Sequence, residues 1–192
     1  MDKVRTFIAI LLPAAVRRRL AEIEGQLKTS GADVKWVAEE NLHITLKFLG
    51  CVEPDRLGEV IKAIGSAVEG VNSFDAALSG IGAFPKVSRP SVVWAGVTIG
   101  CEELKALAER VEDAMERIGF AREARIFSLH VTLGRLRLPG KPDRLPEIIE
   151  RLHAEEAGTF RVESVAVMRS DLRPTGPIYT EIGNCKLKSI PQ

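Results

Sequence analysis

A short pattern, His-apolar-Thr-Leu, occurs twice in this 192-residue chain and constrains its fold more than any other feature. The first copy lies within residues 41–50 and the second within residues 127–135. Successive side chains on a β-strand point to opposite faces, so a His and a Thr two positions apart share one face. Each copy therefore predicts a half-buried strand that shows an imidazole and a hydroxyl to a cleft.

In the first copy, simple alternation places Lys47 on the same face as His43 and Thr45, and we interpret Lys47 as an exposed charge. The opposite, apolar face is predicted to carry Leu42, Ile44, Leu46 and Phe48. A single histidine in such a strand is adequately explained as a satisfied polar group. The explanation changes because the pattern has a second copy.

In the second copy, His130 and Thr132 share a face. Arg135 has the opposite parity, and it joins that face only if a bulge or the end of the strand turns it. Two copies of one pattern among only three histidines indicate a shared site rather than two unrelated polar residues. The third histidine, His153, lacks the following Thr and is predicted to lie on the surface.

Composition limits the possible functions. The net charge of +1 gives no strong overall field for nucleic acid, so any RNA contact must come from a local basic patch. The three cysteines are widely spaced and suggest neither a zinc site nor a disulfide framework, which predicts a reducing, cytoplasmic location. No apolar stretch is long enough to span a membrane. The apolar run over residues 7–12 is short and ends at Pro13, which predicts a buried strand rather than a signal peptide.

Apolar periodicity predicts one α+β domain over residues 1–192. Helices are predicted over 13–27, 54–68, 102–118 and 146–154. Strands are predicted over 4–12, 34–37, 41–50, 74–84, 91–99, 125–138, 160–168 and 178–182. The order of these elements suggests two similar α+β units that face each other, with one motif on each. Two basic loops, 86–90 and 139–144, are hypothesised to hold an RNA strand.

Two imidazoles that face one pocket can act as base and acid in a single reaction, because their ordinary pKa of about 6.5 lies near neutrality. In-line displacement at phosphorus, with the nucleophile and the leaving oxygen on opposite sides, suits one imidazole from each unit. Thr45 and Thr132 can donate to phosphate oxygens, and Arg135 can bind phosphate through two hydrogen bonds. Two histidines supply fewer ligands than a catalytic zinc needs, so no metal is predicted. The sequence also lacks a Walker-type phosphate loop and a complete dinucleotide fingerprint.

The sequence resembles the two-histidine (2H) phosphoesterase superfamily and, within it, the RNA 2′,3′-cyclic phosphodiesterases, also called 2′-5′ RNA ligases. The resemblance covers nearly the whole chain. It is carried by residues 5–10, 36–37, 40–50, 82–85, 93–97, 130–135 and 176–179. Many members have Pro immediately before the second His, whereas Leu129 stands there in this chain.

The resemblance implies a bilobal fold in which two antiparallel-sheet-plus-helix lobes surround a central cleft with pseudo-twofold symmetry. It implies metal-free and cofactor-free hydrolysis of a terminal 2′,3′-cyclic phosphate of RNA to a 2′-phosphate. By motif position, His43 is the acid, His130 is the base, and Thr45, Thr132 and Arg135 bind the phosphate. The same site is expected to run the reverse reaction, an ATP-independent 2′-5′ RNA ligation. The expected protein is a monomer without a membrane partner.

Two alternatives remain at this point. One is a cyclic phosphodiesterase of the same chemistry that acts on small nucleotides or on ADP-ribose cyclic phosphate. The other is a non-catalytic module that binds RNA 3′ ends. The intact His and Thr of both motifs argue against the second alternative.

Overall fold

The computed structural model describes residues 2–124, 127–137, 144–174 and 176–189. Over these residues the chain forms nine strands and four α-helices, in the α+β class that the sequence predicts. In chain order they are β1 (Val4–Leu11), α1 (Ala14–Lys28), β2 (Val34–Trp36), β3 (His43–Val52), α2 (Leu57–Val68), β4 (Phe74–Lys86), β5 (Arg89–Ile99), α3 (Cys101–Arg117), β6 (His130–Leu136), α4 (Leu145–Arg151), β7 (Glu156–Val162), β8 (Ser164–Arg173) and β9 (Gly176–Lys186). None of the described helices is both long and apolar enough to cross a bilayer.

The strands form one antiparallel sheet in the order β7-β4-β5-β6-β3-β1-β8-β9, and β2 pairs separately with β6. The two motif strands, β3 and β6, are neighbours at the centre of this order. Their recorded pairing is a single residue pair, Ile44 with Val131. The sheet therefore consists of a five-stranded half (β7, β4, β5, β6 and β2) and a four-stranded half (β3, β1, β8 and β9), which meet at the residues between each His and its Thr.

The two halves define the two expected lobes, but the chain passes between them repeatedly. Helices α2 and α3 pack against each other and against β3, β8 and β9. Helices α1 and α4 pack on the other lobe, against β7 and β4. The lobes are thus not consecutive halves of the chain, as the order of elements suggested, because β1 belongs to one lobe while the following helix packs on the other.

The helices follow their apolar periodicity closely. In α2 the fully buried residues are Val60, Ile64 and Val68, and the structure resolves the preceding Pro54–Arg56 as a 3₁₀ turn. The buried stripe of α3 comprises Leu104, Leu107, Ala108, Val111, Ala114 and Met115. These stripes belong to the main core, together with apolar residues of the strands and of α1 and α4. A second, smaller cluster of Phe7, Ala9, Ala166 and Met168 packs against Tyr179 on the opposite, cleft-facing side of β1 and β8.

Two predicted segments differ from the structure. The strand predicted over 160–168 is in fact the end of β7 and the start of β8, which are separated at Glu163. The basic loop predicted over 86–90 is a hairpin whose turn consists of Val87 and Ser88 alone, since Lys86 pairs with Arg89 and both belong to strands. Of the other basic loop, 139–144, residues 139–143 lie outside the described residues.

Candidate active site

Both motif strands contain a β-bulge at the same position relative to the histidine. In β3, Thr45 pairs with Ala9 and Lys47 with Ile8, so Leu46 is the extra residue. In β6, Thr132 pairs with Trp94 and Gly134 with Val93, so Leu133 is the extra residue. Each extra leucine lies three residues after its histidine. A bulge reverses the alternation of side chains beyond it, so the parity argument made from the sequence fails after this point.

The bulge in β3 overturns the interpretation of Lys47 as an exposed residue on the His43 face. Lys47 is buried, with 5% exposure, and its ammonium group donates to Glu112 Oε2 at 2.6 Å and to the carbonyl of Ala121 at 2.9 Å. Phe48, which alternation assigned to the apolar face, is instead 57% exposed and lines a cavity beside the motifs. The bulge in β6 likewise brings Arg135 to the cleft face, which was the condition for a role in the site.

The two imidazoles are held in the same way. Nδ1 of His43 donates to the carbonyl of Asn41 at 2.7 Å, and Nδ1 of His130 donates to the carbonyl of Ser128 at 2.7 Å. A carbonyl oxygen only accepts, so Nδ1 carries the hydrogen in both neutral rings and Nε2 has a lone pair available to accept a proton. In the first motif the Thr45 hydroxyl donates to Nε2 of His43 at 2.9 Å.

The register between β3 and β6 brings the four motif side chains together. Because Ile44 pairs with Val131 in an antiparallel manner, extending the register by one residue places His43 opposite Thr132 and Thr45 opposite His130. The two histidines then form a diagonal pair, for which the Cα separation is typically about 7–8 Å. Both Nε2 atoms and both hydroxyls can therefore reach one bound group between the strands.

Burial lowers the pKa of both histidines below the ordinary imidazole value, and a positive neighbour lowers each one further. For His43 the neighbour is His130, as expected for two rings that lie near each other. For His130 the neighbour is Arg135, which is a permanent cation. The hydrogen bond from each Nδ1 to its carbonyl opposes this effect and raises the pKa.

Aromatic rings flank both imidazoles. The ring centroid of Phe7 lies 4.9 Å from that of His43, and Tyr179 meets His43 edge to face at 5.5 Å. Phe84 meets His130 edge to face at 5.2 Å. Each ring belongs to one of the short strings on which the family resemblance depends, but no pattern in the sequence alone assigned these three rings to the site. Their proximity depends on the sheet order, which a single sequence does not reveal.

The family model of LigT like phosphoesterases matches two segments, residues 10–94 and 99–179, and each segment contains one motif. The chain belongs to this family. A protein of Methanothermobacter thermautotrophicus named RNA 2′,3′-cyclic phosphodiesterase is 37% identical over 94% of this chain and 97% of its own length. A protein of Thermotoga maritima with the same name is 34% identical over 96% of both chains.

Solved structures agree with the LigT-like fold. The crystal structure of TT0787 of Thermus thermophilus superposes with a TM-score of 0.81 at 28% identity, covering 96% of this chain and 98% of that one. Escherichia coli LigT in complex with 3′-AMP superposes with a TM-score of 0.77 at 23% identity, covering 97% and 99%. At that identity the second comparison supports the bilobal architecture alone.

In this LigT-like phosphoesterase, a cavity of about 610 Å³ opens beside the histidines rather than around them. Phe7 and Tyr179 separate it from His43, and Arg135 lies at its border with His130. Phe48 and Trp36 form further walls. The site thus consists of a reactive patch between β3 and β6 and an adjoining cavity large enough for part of a substrate.

The remaining histidine lies apart from the pair. His153 is exposed after the end of α4, where its Nδ1 donates to the carbonyl of Glu150 at 2.7 Å. Within the part of the chain that the structure describes, no group of three or more His, Cys, Asp or Glu side chains is arranged so that it could hold a metal ion.

Proposed function

We propose that this chain is an RNA 2′,3′-cyclic phosphodiesterase that hydrolyses a terminal 2′,3′-cyclic phosphate to a 2′-phosphate. The observation that carries the proposal is that the two equivalent bulged motif strands pair at Ile44 and Val131, which makes His43 and His130 a diagonal pair when the register is extended by one residue. The relatives with this name, which match nearly the full length of the chain, support the choice of substrate.

The charges around the imidazoles support His130 as the base. Arg135 is always positive, so it favours the neutral form of His130, in which Nε2 can accept a proton. Among the described residues, the positive neighbour that lowers the pKa of His43 is His130, and this repulsion disappears when His130 is neutral. Repulsion between the two rings disfavours two protons on the pair, and the proposal places the single proton on His43, the motif position of the acid.

In the proposed reaction, Nε2 of His130 takes a proton from water as the water oxygen attacks phosphorus. The bond from phosphorus to the 3′ oxygen breaks, and His43 transfers its Nε2 proton to that oxygen. The products are a 3′-hydroxyl and a 2′-phosphate. After turnover His130 is protonated and His43 neutral, and proton exchange with solvent restores the starting state.

Thr45, Thr132 and Arg135 would bind the non-bridging oxygens. In the neutral site, the Thr45 hydroxyl donates to Nε2 of His43. When His43 carries the proton, Nε2 becomes a donor, so the Thr45 hydroxyl hydrogen is released to donate to the phosphate. Protonation of the acid and phosphate binding would therefore support each other.

The strain of a five-membered cyclic ester makes hydrolysis by acid–base catalysis plausible without a metal or cofactor. The same ester holds the energy for the reverse joining to a 5′-hydroxyl end, so ligation in a 2′-5′ linkage would need no ATP. Hydrolysis is expected to dominate because water is abundant. All proposed site residues come from one chain, so the protein is expected to act as a monomer.

Product analysis tests this function. An RNA oligonucleotide that ends in a 2′,3′-cyclic phosphate is incubated with the protein in the presence and absence of EDTA. We expect a 2′-phosphate product and the same rate in both conditions. A 3′-phosphate product would reverse the assignment of the leaving oxygen, and loss of activity in EDTA would contradict the metal-free mechanism. Saturable binding without any product between pH 5 and 9 would support the non-catalytic alternative.

A further inference from the structure

Arg5, Arg135 and Tyr179 line the same cavity. The positive charge of each guanidinium favours the ionised phenol and so opposes the effect of burial, which raises the Tyr179 pKa overall. Both arginines are exposed and line the 610 Å³ cavity. Among the described residues, neither forms an ion pair with a carboxylate. The wall of the cavity thus combines two guanidinium groups with the phenol of Tyr179.

The sheet fixes the direction of Arg5. On β1, Arg5 and Phe7 share a face because they are two positions apart, and Phe7 packs against His43 at the cleft. On the neighbouring strands, Thr6 pairs with Arg169 and Ser170 pairs with Tyr179. Extending the first pairing by one residue places Arg5 opposite Ser170, in the same row as Tyr179. Arg5 therefore lies on the cleft side of β1. Its Cα is two strand positions, or roughly 6.6 Å, from that of Phe7, whose ring contacts His43.

The two arginines have different relations to the reactive pair. Arg135 lowers the pKa of His130, whereas neither histidine pKa is shifted by Arg5. In the sheet, Arg135 lies on β6 in the same motif as His130, whereas Arg5 lies on β1, two strands away from β6, so we assign Arg135 to the reacting phosphate and Arg5 to a different one. The cavity between them is bordered by the exposed ring of Phe48 and contains a further cation, Lys35. Cations combined with an exposed aromatic ring are typical of surfaces that bind single-stranded nucleic acid.

We infer that Arg5 binds the phosphodiester on the 5′ side of the terminal nucleotide, so that the cavity selects an RNA strand over a free cyclic mononucleotide. The inference rests on the proposed function, because the reacting phosphate sets the position of the strand. A nucleoside 2′,3′-cyclic phosphate has no 5′ phosphate and leaves Arg5 without a partner. A dinucleotide with the same cyclic end supplies one.

The test compares Arg5→Ala with wild type on two substrates that share the terminal base, a nucleoside 2′,3′-cyclic phosphate and the corresponding dinucleotide. We expect kcat/KM to fall about tenfold for the dinucleotide and less than twofold for the mononucleotide, because one charge-assisted contact to phosphate is lost. The dependence of log kcat/KM on log salt should weaken by about 0.7 for the dinucleotide alone. Arg5→Lys should retain most of the salt dependence. Arg18→Ala, which removes an exposed arginine from the outer side of α1, is the matched control and should change neither substrate.

An equal loss on both substrates, or no loss on either, would overturn the role of Arg5. If the wild type hydrolyses neither substrate, the proposed function fails but the role of Arg5 is still decided by binding. The probes are then a nucleoside 2′-phosphate and a dinucleotide that ends in a 2′-phosphate. Arg5→Ala should weaken the binding of the dinucleotide alone, and equal affinities of variant and wild type for the dinucleotide would contradict the inference.

Discussion

The two motif strands have the same backbone arrangement as far as the bulge, but they differ in the two residues that follow the bulge. Both hold the imidazole through a carbonyl two residues earlier, and both bulge at the third residue after the histidine. At the fourth residue, β3 has the buried Lys47 and β6 has Gly134. At the fifth residue, on the cleft face, β3 has Phe48 and β6 has Arg135.

The shared part of the two strands and the residues that differ have separate tasks. The common part presents two similar imidazoles to one group, which suits a reaction that needs an acid and a base. The fifth residues make the two sides unequal, because Arg135 favours a neutral His130 whereas Phe48 adds no charge beside His43. The comparison thus teaches that the backbone supplies the symmetry of the site, and we propose that the residues after the bulge distinguish base from acid.

The largest expected effect follows from removing either histidine. His43→Ala and His130→Ala should each lower kcat on a cyclic-phosphate RNA by about 10²–10⁴, the range of general acid–base catalysis. The two variants should differ on a cyclic substrate with sulfur at the 3′ bridging position, because a thiolate leaves without a proton. We expect this substrate to restore the rate of His43→Ala but not that of His130→Ala.

The sulfur substrate therefore tests the assigned roles. Recovery of His130→Ala instead would exchange acid and base, and full activity of either variant on the oxygen substrate would remove that histidine from the mechanism. His153→Ala, at the exposed histidine outside the site, is the control and should behave as wild type.

The second prediction concerns the residues at the fifth position. Arg135→Ala should lower kcat/KM about 10²-fold, because it removes a charge that stabilises the transition state. It should also raise the pKa of His130 by removing a cation, so the acidic limb of the pH–kcat/KM profile should move to higher pH. Phe48→Ala should cost less than tenfold and leave that limb in place. An unmoved limb in Arg135→Ala would contradict the assignment of His130 as the base.

The smallest effect on catalysis, but a clear effect on stability, is expected at the fourth position. Lys47→Met leaves the half-buried carboxylate of Glu112 without its partner and should lower the free energy of unfolding by about 3 kcal/mol. The double variant Lys47→Met/Glu112→Gln should recover much of this loss. Lys105→Met, which breaks the exposed pair with Glu102, should leave the free energy of unfolding nearly unchanged in chemical denaturation. Equal effects of the two single variants would contradict a structural role for the buried pair.

The sequence predicts much of the fold because its periodicities are strong. The apolar stripes of α2 and α3 repeat every three to four residues, and helices lie where those stripes were found. The strand character of both motifs, and the common face of each His with its Thr, follow from the alternation of side chains. The same His-to-Thr spacing in two strands is sufficient to suggest one site, because each motif supplies the reactive side chains and places them on one face of its strand.

The face of the strand on which each residue after the bulge lies was not predictable from the sequence. Leu46 and Leu133 look like ordinary apolar strand residues, and only the register with β1 and β5 identifies each as an extra residue. Lys47 was therefore misplaced, and the position of Arg135 stayed conditional. The interleaving of the lobes and the contacts of Phe7, Phe84 and Tyr179 with the imidazoles depend on long-range pairing, which local periodicity does not encode.

The most direct test of a shared phosphate site is an NMR titration of the three imidazoles, with and without a nucleoside 2′-phosphate. In the free protein we expect pKa values below the ordinary value for His43 and His130, and a higher His43 pKa in His130→Ala because the repulsion is gone. Bound phosphate should raise the pKa of both histidines, since its negative charge favours both protonated rings. A rise at only one of the two, or at neither, would contradict a single site built from both motifs.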